Sequence, residues 1–240
     1  MNSFPSEFSD LLNPEWKNRL GRTNGFVASL RKSRAKYQSF KVLSTETARA
    51  CANLLTRTMD DCVQPLFARI PADSISKMRS SYSEELPKTM HMATAYLGRR
   101  GGKGFKAVKN IGLWEMFNSR SFKNFAELLS GYPLTDLTYQ VICYKHGDHV
   151  GPHNDHHPET KELRDGYIDL HITLTNEYVD HQWLVWERRG FLSQILNINT
   201  PGNVGIYKLP FWHYTTPLVG KSGYEDKARR WLLLVSAQIV

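Results

Sequence analysis

Cysteine is scarce in this 240-residue chain, which holds only Cys51, Cys62 and Cys143. Three widely spaced thiols make no disulfide framework, so a reducing cytosol is the expected compartment. Long apolar runs are missing too. Nothing approaches the roughly 18–20 residues that a membrane span needs. The stretch Met1 to Glu7 lacks the basic and apolar regions of a signal peptide. The expectation is a soluble, cytoplasmic protein with no membrane contact. There is no internal repeat and no low-complexity tract. The basic, glycine-rich run Arg99 to Gly104 lacks the order of a phosphate loop, because no Ser or Thr follows Lys103. It reads instead as a mobile loop with room to cap a pocket.

What is present suits an ordinary globule. Hydrophobic residues make up 41% and charged residues 22%, enough for one domain with a good core. The formal charge is +8, and the basic cluster Arg31 to Lys36 contributes to it. Such a balance is compatible with nucleic acid or an acidic substrate but is also common in plain enzymes. Ser44 or Thr45 can cap a helix in which Ala48, Cys51, Ala52, Leu55 and Met59 recur at helical spacing. Residues 73–100 read as helical in parts. Ser121 can cap a further helix running to Leu129, with Gly131 suiting its stop. From Leu137 the period changes to strands, expected near 138–145, 167–175, 181–187, 191–198, 203–208, 213–218 and 230–239. Short strands separated by Gly, Pro, Asn and Asp turns predict a sandwich or jelly roll, and helices ahead of them an α+β layout. The division expected is a mainly helical region, 1–136, packed on a strand-built core, 137–240, as one integrated domain.

The chemistry gathers in Tyr144 to Asp155, Y-K-H-G-D-H-V-G-P-H-N-D. In an extended chain, residues two apart point the same way, so His153 and Asp155 can close on one ion. One imidazole and one carboxylate form two thirds of a 2-His-1-carboxylate triad, a set that suits non-heme Fe(II) and leaves coordination positions open. His213, in F-W-H-Y-T-T-P-L, is the candidate third ligand. Five histidines crowd His146–His157, and His146, His149, His156 and His157 read as loop residues or as donors orienting Asp155. Asp169 and His171 form a second pair two apart, in reverse order and in mid-strand.

Together, Y-K-H-G-x-x-x-x-P-H-N-D, I-T-L-T-N-E, P-G-N-V-G-I-Y, H-Y-T-T-P-L and R-R-W-L-L-L resemble the Fe(II)/2-oxoglutarate-dependent oxygenases, in their prolyl-hydroxylase-like branch. The resemblance covers Leu137 to Val240. It implies a double-stranded β-helix (jelly-roll, cupin-like) core buttressed by N-terminal helices, with iron at its mouth. It implies Fe(II), 2-oxoglutarate as co-substrate and O2, with His153, Asp155 and His213 as metal ligands and catalytic centre. Arg230 would hold the remote carboxylate of 2-oxoglutarate. Arg229 lies on the opposite side of the same strand, and a one-residue slip would exchange the two. Lys221 is a rival, and Tyr144 matches a tyrosine that contacts the same co-substrate. Thr215 and Leu174 would be pocket walls. The implied reaction is hydroxylation of an unactivated C–H in a small molecule, an amino acid or biosynthetic intermediate, giving succinate and CO2. Alternatives are a nucleic-acid oxygenase of the demethylase type, a protein hydroxylase, or a non-catalytic cupin-like metal-binding protein.

Overall fold

Alternation along the strands decides the architecture, because it sorts each strand into an apolar face and a mixed one. The computed structural model describes residues 1–21, 30–31, 36–69, 89–97, 101–153, 155, 166–188 and 192–240. In chain order, a helix α1 (Pro14–Leu20) precedes β1 (Tyr37–Lys41), α2 (Thr45–Met59), β2 (Gln64–Ala68) and β3 (Met90–Tyr96). Three helices follow, α3 (Lys103–Asn110), α4 (Leu113–Phe117) and α5 (Arg120–Ser130). The remaining strands are β4 (Leu134–Tyr144), β5 (His149–His153), β6 (Tyr167–Thr175), β7 (Val179–His181), β8 (Trp183–Arg188), β9 (Leu192–Asn197), β10 (Asn203–Lys208), β11 (His213–Thr215), β12 (Val219–Gly220) and β13 (Arg230–Ile239). Among the described residues, no helix is long and apolar enough to cross a membrane.

All the pairings are antiparallel, in the order β1-β10-β6-β13-β4-β3-β5-β11-β8-β9, with β2 also on β3. This is an α+β chain with a jelly-roll core. The fold over happens at β3. Its residues Ala93–Tyr96 pair with β4, while Met90 and His91 pair with β5. β4 and β5 therefore follow one another along β3, parted by the turn at Lys145–Asp148. Strands β1, β10, β6, β13 and β4 make one wall of a cavity, and β5, β11 and β8 make the other.

The helices cover the outer face of the first wall. On β13, Trp231, Leu233, Val235 and Ala237 join a core with Ile168, Leu170, Ile172 and Leu174 of β6 and the inward side of α2. α2 buries Ala48, Cys51, Ala52, Leu54, Leu55 and Met59 there, and each large side chain contributes roughly 1.5–3 kcal/mol. Trp231 Nε1 donates to Thr56 Oγ1 at 2.9 Å, which locks β13 to α2. The alternate residues Arg230, Leu232, Leu234 and Ser236 face the cavity. Leu174, expected as a pocket wall, thus belongs to the helix side, whereas Thr215 lines the cavity.

Helix ends follow side-chain chemistry. Ser44 caps α2 by accepting from Thr47 N–H at 3.0 Å. For α5 the cap is Ser119, not Ser121: Ser119 Oγ accepts from Phe122 N–H at 3.2 Å, which starts the helix earlier than expected. Gly131, in a left-handed conformation, ends it. The helical expectation across 73–100 fails at β3, where pairing with β2 and β4 holds M-H-M-A-T-A-Y extended. The remainder of that stretch, apart from Thr89 and Leu97, lies outside the described residues, as do Arg99, Arg100 and Lys32–Ala35. Lys103 opens α3.

Candidate metal centre and oxo-acid pocket

His153 and His213 are opposite one another in the β5–β11 pair, which brings two remote imidazoles together. Their ring centroids lie 4.2 Å apart. Asp155 adopts φ 52°, in the left-handed region, and this turn returns its carboxylate toward the two rings. His153 Nε2 lies 3.2 Å from Asp155 Oδ1, and His213 Nε2 lies 3.8 Å from Oδ2. One donor atom from each residue falls within 4.8 Å of the others, the one such group of three among the described residues.

The rings are fixed from behind. His153 Nδ1 contacts the Gly151 carbonyl at 2.7 Å, and His213 Nδ1 contacts the Phe211 carbonyl at 2.7 Å. A carbonyl only accepts, so each Nδ1 carries the proton and each Nε2 presents its lone pair. A Cβ at Gly151 would run into the Thr89 hydroxyl, so any larger residue would have to displace that side chain from β5.

Behind Asp155 stands Tyr207, which the sequence reading passed over. Its hydroxyl lies 3.0 Å from His171 Nε2 and 3.4 Å from both Asp155 Oδ2 and Asp169 Oδ2. A hydroxyl has one proton, so it donates to one carboxylate at a time and accepts from His171. Burial first, then the charge of Asp169, raises the Tyr207 phenol well above its ordinary range, so it stays neutral. Burial likewise pushes His171 down to about 3, with the nearby charges of His213 and Arg230 adding to it. Asp169 also accepts from Ser236 Oγ. The mid-strand pair Asp169 and His171, set aside from the sequence, therefore lines the same cavity as His153, Asp155 and His213.

Arg230 lines this cavity of about 560 Å³ from the other wall and is 2% exposed. Its guanidinium lies 5.1 Å from the Tyr144 ring centre, donates from Nη1 to Gln182 Oε1 at 3.1 Å and from Nη2 to Thr173 Oγ1 at 3.4 Å. Its Nε has no partner, and no carboxylate among the described residues pairs with it. Burial lowers its pKa and raises that of Tyr144 to about 12. Arg229 does not reach the cavity. It points the other way and pairs with Asp60 at 3.4 Å. Lys221 is exposed and lines no part of it. His146 and His149 serve the turn, His146 Nδ1 accepting from Gly220 N–H at 3.1 Å, while His156 and His157 lie outside the described residues. Gln182 was the other residue missed. A lone glutamine between two strands carries no sequence signal.

No family model and no curated protein matches the sequence. Solved structures do match the fold. A prolyl-4-hydroxylase from Pseudomonas putida aligns at TM-score 0.51 and 11% identity, covering 86% of this chain and 94% of that one. The non-heme α-ketoglutarate-dependent epimerase SnoN from nogalamycin biosynthesis aligns at 0.53 and 13%, covering 95% and 82%. The non-heme α-ketoglutarate-dependent carbocyclase SnoK from the same biosynthesis aligns at 0.52 and 13%, covering 90% and 85%. The chain therefore has the double-stranded β-helix fold of the Fe(II)/2-oxoglutarate oxygenases.

Proposed function

We propose that this chain is an Fe(II)- and 2-oxoglutarate-dependent oxygenase that hydroxylates an unactivated C–H bond of a small molecule, releasing succinate and CO2. One observation carries the reading. A single cavity offers a two-imidazole, one-carboxylate donor set on one wall and a buried guanidinium without a carboxylate partner on the other. The donor set alone would serve many metals. Paired with an anion anchor, it matches an oxo acid that chelates at one end and is gripped at the other.

The residues fit both groups. Two Nε2 lone pairs and one carboxylate would hold Fe(II) and leave coordination positions for a chelating co-substrate and O2. A desolvated cation without a counter-charge is costly and calls for an anion, and a guanidinium edge suits a carboxylate. Arg230 would grip the remote carboxylate while Tyr144 supports its face. When bound, iron would supply the oxidative chemistry, coupling oxygen reduction to decarboxylation of 2-oxoglutarate. The chain's part is to bind, orient and exclude water. Ile142, Val150, Leu232 and Leu234 keep the cavity apolar beside the donor set, and Tyr207 holds Asp155 in place. Asp169, His171 and Ser236 offer polar groups to a small substrate. SnoN and SnoK, both from nogalamycin biosynthesis, lend support to a biosynthetic intermediate as substrate. A reducing cytosol suits the free thiols of Cys51, Cys62 and Cys143.

The test is anaerobic. Fe(II) and 2-oxoglutarate should together give a weak visible charge-transfer band in the wild type. His153→Ala should lose it; an unchanged band would refute the ligand assignment. Succinate release screened across metabolite pools then identifies the substrate.

A further inference from the structure

Gln182 lies between β7 and β8 and is fully buried. Its Nε2 donates to the backbone carbonyl of Asp148 at 3.2 Å and to that of Thr216 at 3.0 Å. Those two acceptors consume both amide protons, so the flip of the amide is determined and Oε1 must face Arg230. It accepts from Nη1 there at 3.1 Å. Gln182 does not line the cavity, so whatever it does there, it does through Arg230.

The two carbonyls are informative because of where they sit. Asp148 belongs to the turn that leads into β5, the strand of His153. Thr216 directly follows β11, the strand of His213. One side chain thus ties both histidine-bearing strands to the arginine across the cavity. With Nη1 held by Gln182, Nη2 only lightly held by Thr173 and Nε unpartnered, the guanidinium keeps donor capacity for an anion.

We infer that Gln182 is a positioning residue that sets the affinity for the dicarboxylate co-substrate. It holds the guanidinium of Arg230 in place at the cavity and fixes its distance from the metal-binding strands. The inference rests on the 2-oxoglutarate reading above. Without Gln182 a long, unpaired side chain would sample other rotamers, and each would misplace the fork for the remote carboxylate. An oxo acid lacking that carboxylate should be indifferent to the change.

Pyruvate supplies that comparison. Anaerobic Fe(II) charge-transfer titrations with 2-oxoglutarate and with pyruvate compare wild type, Gln182→Met and Gln182→Glu. Met keeps the length and removes the hydrogen bonds. Glu sets an anion against the guanidinium, in competition with the ligand, and gives an independent variant should Met fail to fold. In Gln182→Met, 2-oxoglutarate affinity should fall by about tenfold or more, the effect of losing one charge-assisted hydrogen bond, and in Gln182→Glu it should fall as far because the new carboxylate occupies the guanidinium. Pyruvate affinity should change by less than about twofold, because pyruvate makes no such bond. Unchanged 2-oxoglutarate affinity overturns the inference, and so does an equal fall for both acids, which would mark a merely structural role. A wild type giving no band with 2-oxoglutarate overturns the oxygenase reading and this inference with it. A wild type that gives the band, with variants that match it, overturns this inference alone.

Discussion

Acidifying the metal-free protein should expose the cost of keeping the half-buried His171 neutral. Its ring packs edge-on against Tyr207, and burial, with nearby positive groups, holds its pKa at about 3 against an ordinary 6.5. Between those values the unfolded chain binds a proton that the folded chain refuses. Stability therefore rises with pH through this window and is lost as pH falls below about 6.5. Each unit is worth about 1.36 kcal/mol, so going from pH 6.5 to 4.5 should remove about 2–3 kcal/mol through this residue alone. For a chain of this size that is a fall of roughly 5–10 °C in Tm. Asp148 works in the opposite direction, because burial raises its carboxyl pKa and favours the protonated fold. It is common to wild type and variant and cancels in the comparison. The assay is thermal unfolding by circular dichroism with chelator present, wild type against His171→Gln. Glutamine reaches Tyr207 but does not titrate, so the variant's Tm should fall less on acidification by the amount above. Parallel curves for the two proteins would show that His171 is not held neutral by the fold, and the reasoning would be refuted.

Four further outcomes follow from individual contacts. Tyr207→Phe removes a hydroxyl beside Asp155, so Fe(II) affinity should fall by about tenfold, the lower end for a residue that orients a metal ligand, as read by metal titration. Arg230→Met should retain Fe(II) binding and lose the 2-oxoglutarate band. Arg229→Met should keep the band and cost about 1–3 kcal/mol, because it breaks the pair with Asp60 together with hydrogen bonds to the Asp226 and Ala228 carbonyls. Gly202→Ala forces a side chain at φ 77° with its Cβ 2.7 Å from the Leu43 carbonyl, and should cost at least about 1–3 kcal/mol in denaturant unfolding.

Legibility in the sequence tracked what a local pattern can encode. His153 and Asp155 were visible as a closely spaced pair and His213 because its strand follows in order, but the alternation expected to join the pair does not operate: β5 ends at His153, and the left-handed turn at Asp155 brings the carboxylate back. The same alternation sorted Arg230 from Arg229 only once register was known. Arg230 stands opposite Tyr144 in the β13–β4 pair and Thr175 in the β13–β6 pair, and that parity sends it inward. β3 was misread because its methionines and alanines favour helices, and only partners on both edges make it a strand. Asp169, His171 and Tyr207 failed for a different reason. A sequence reports which residues share a face of one strand, never which strands become neighbours. β6 and β10 pair with Tyr207 opposite Asp169, and that pairing alone brings a mid-strand carboxylate and imidazole to the back of Asp155. Gln182 is the extreme case. Its amide joins a turn, a strand end and the opposite wall, three places that only the closed jelly roll makes neighbours. The His153–Asp155 half of the donor set is therefore a property of local order, and His213 joins it through the β5–β11 pairing. The spacing between that set and the guanidinium is a property of closure, so substitutions in the closing contacts should alter which oxo acid fits without altering which metal binds.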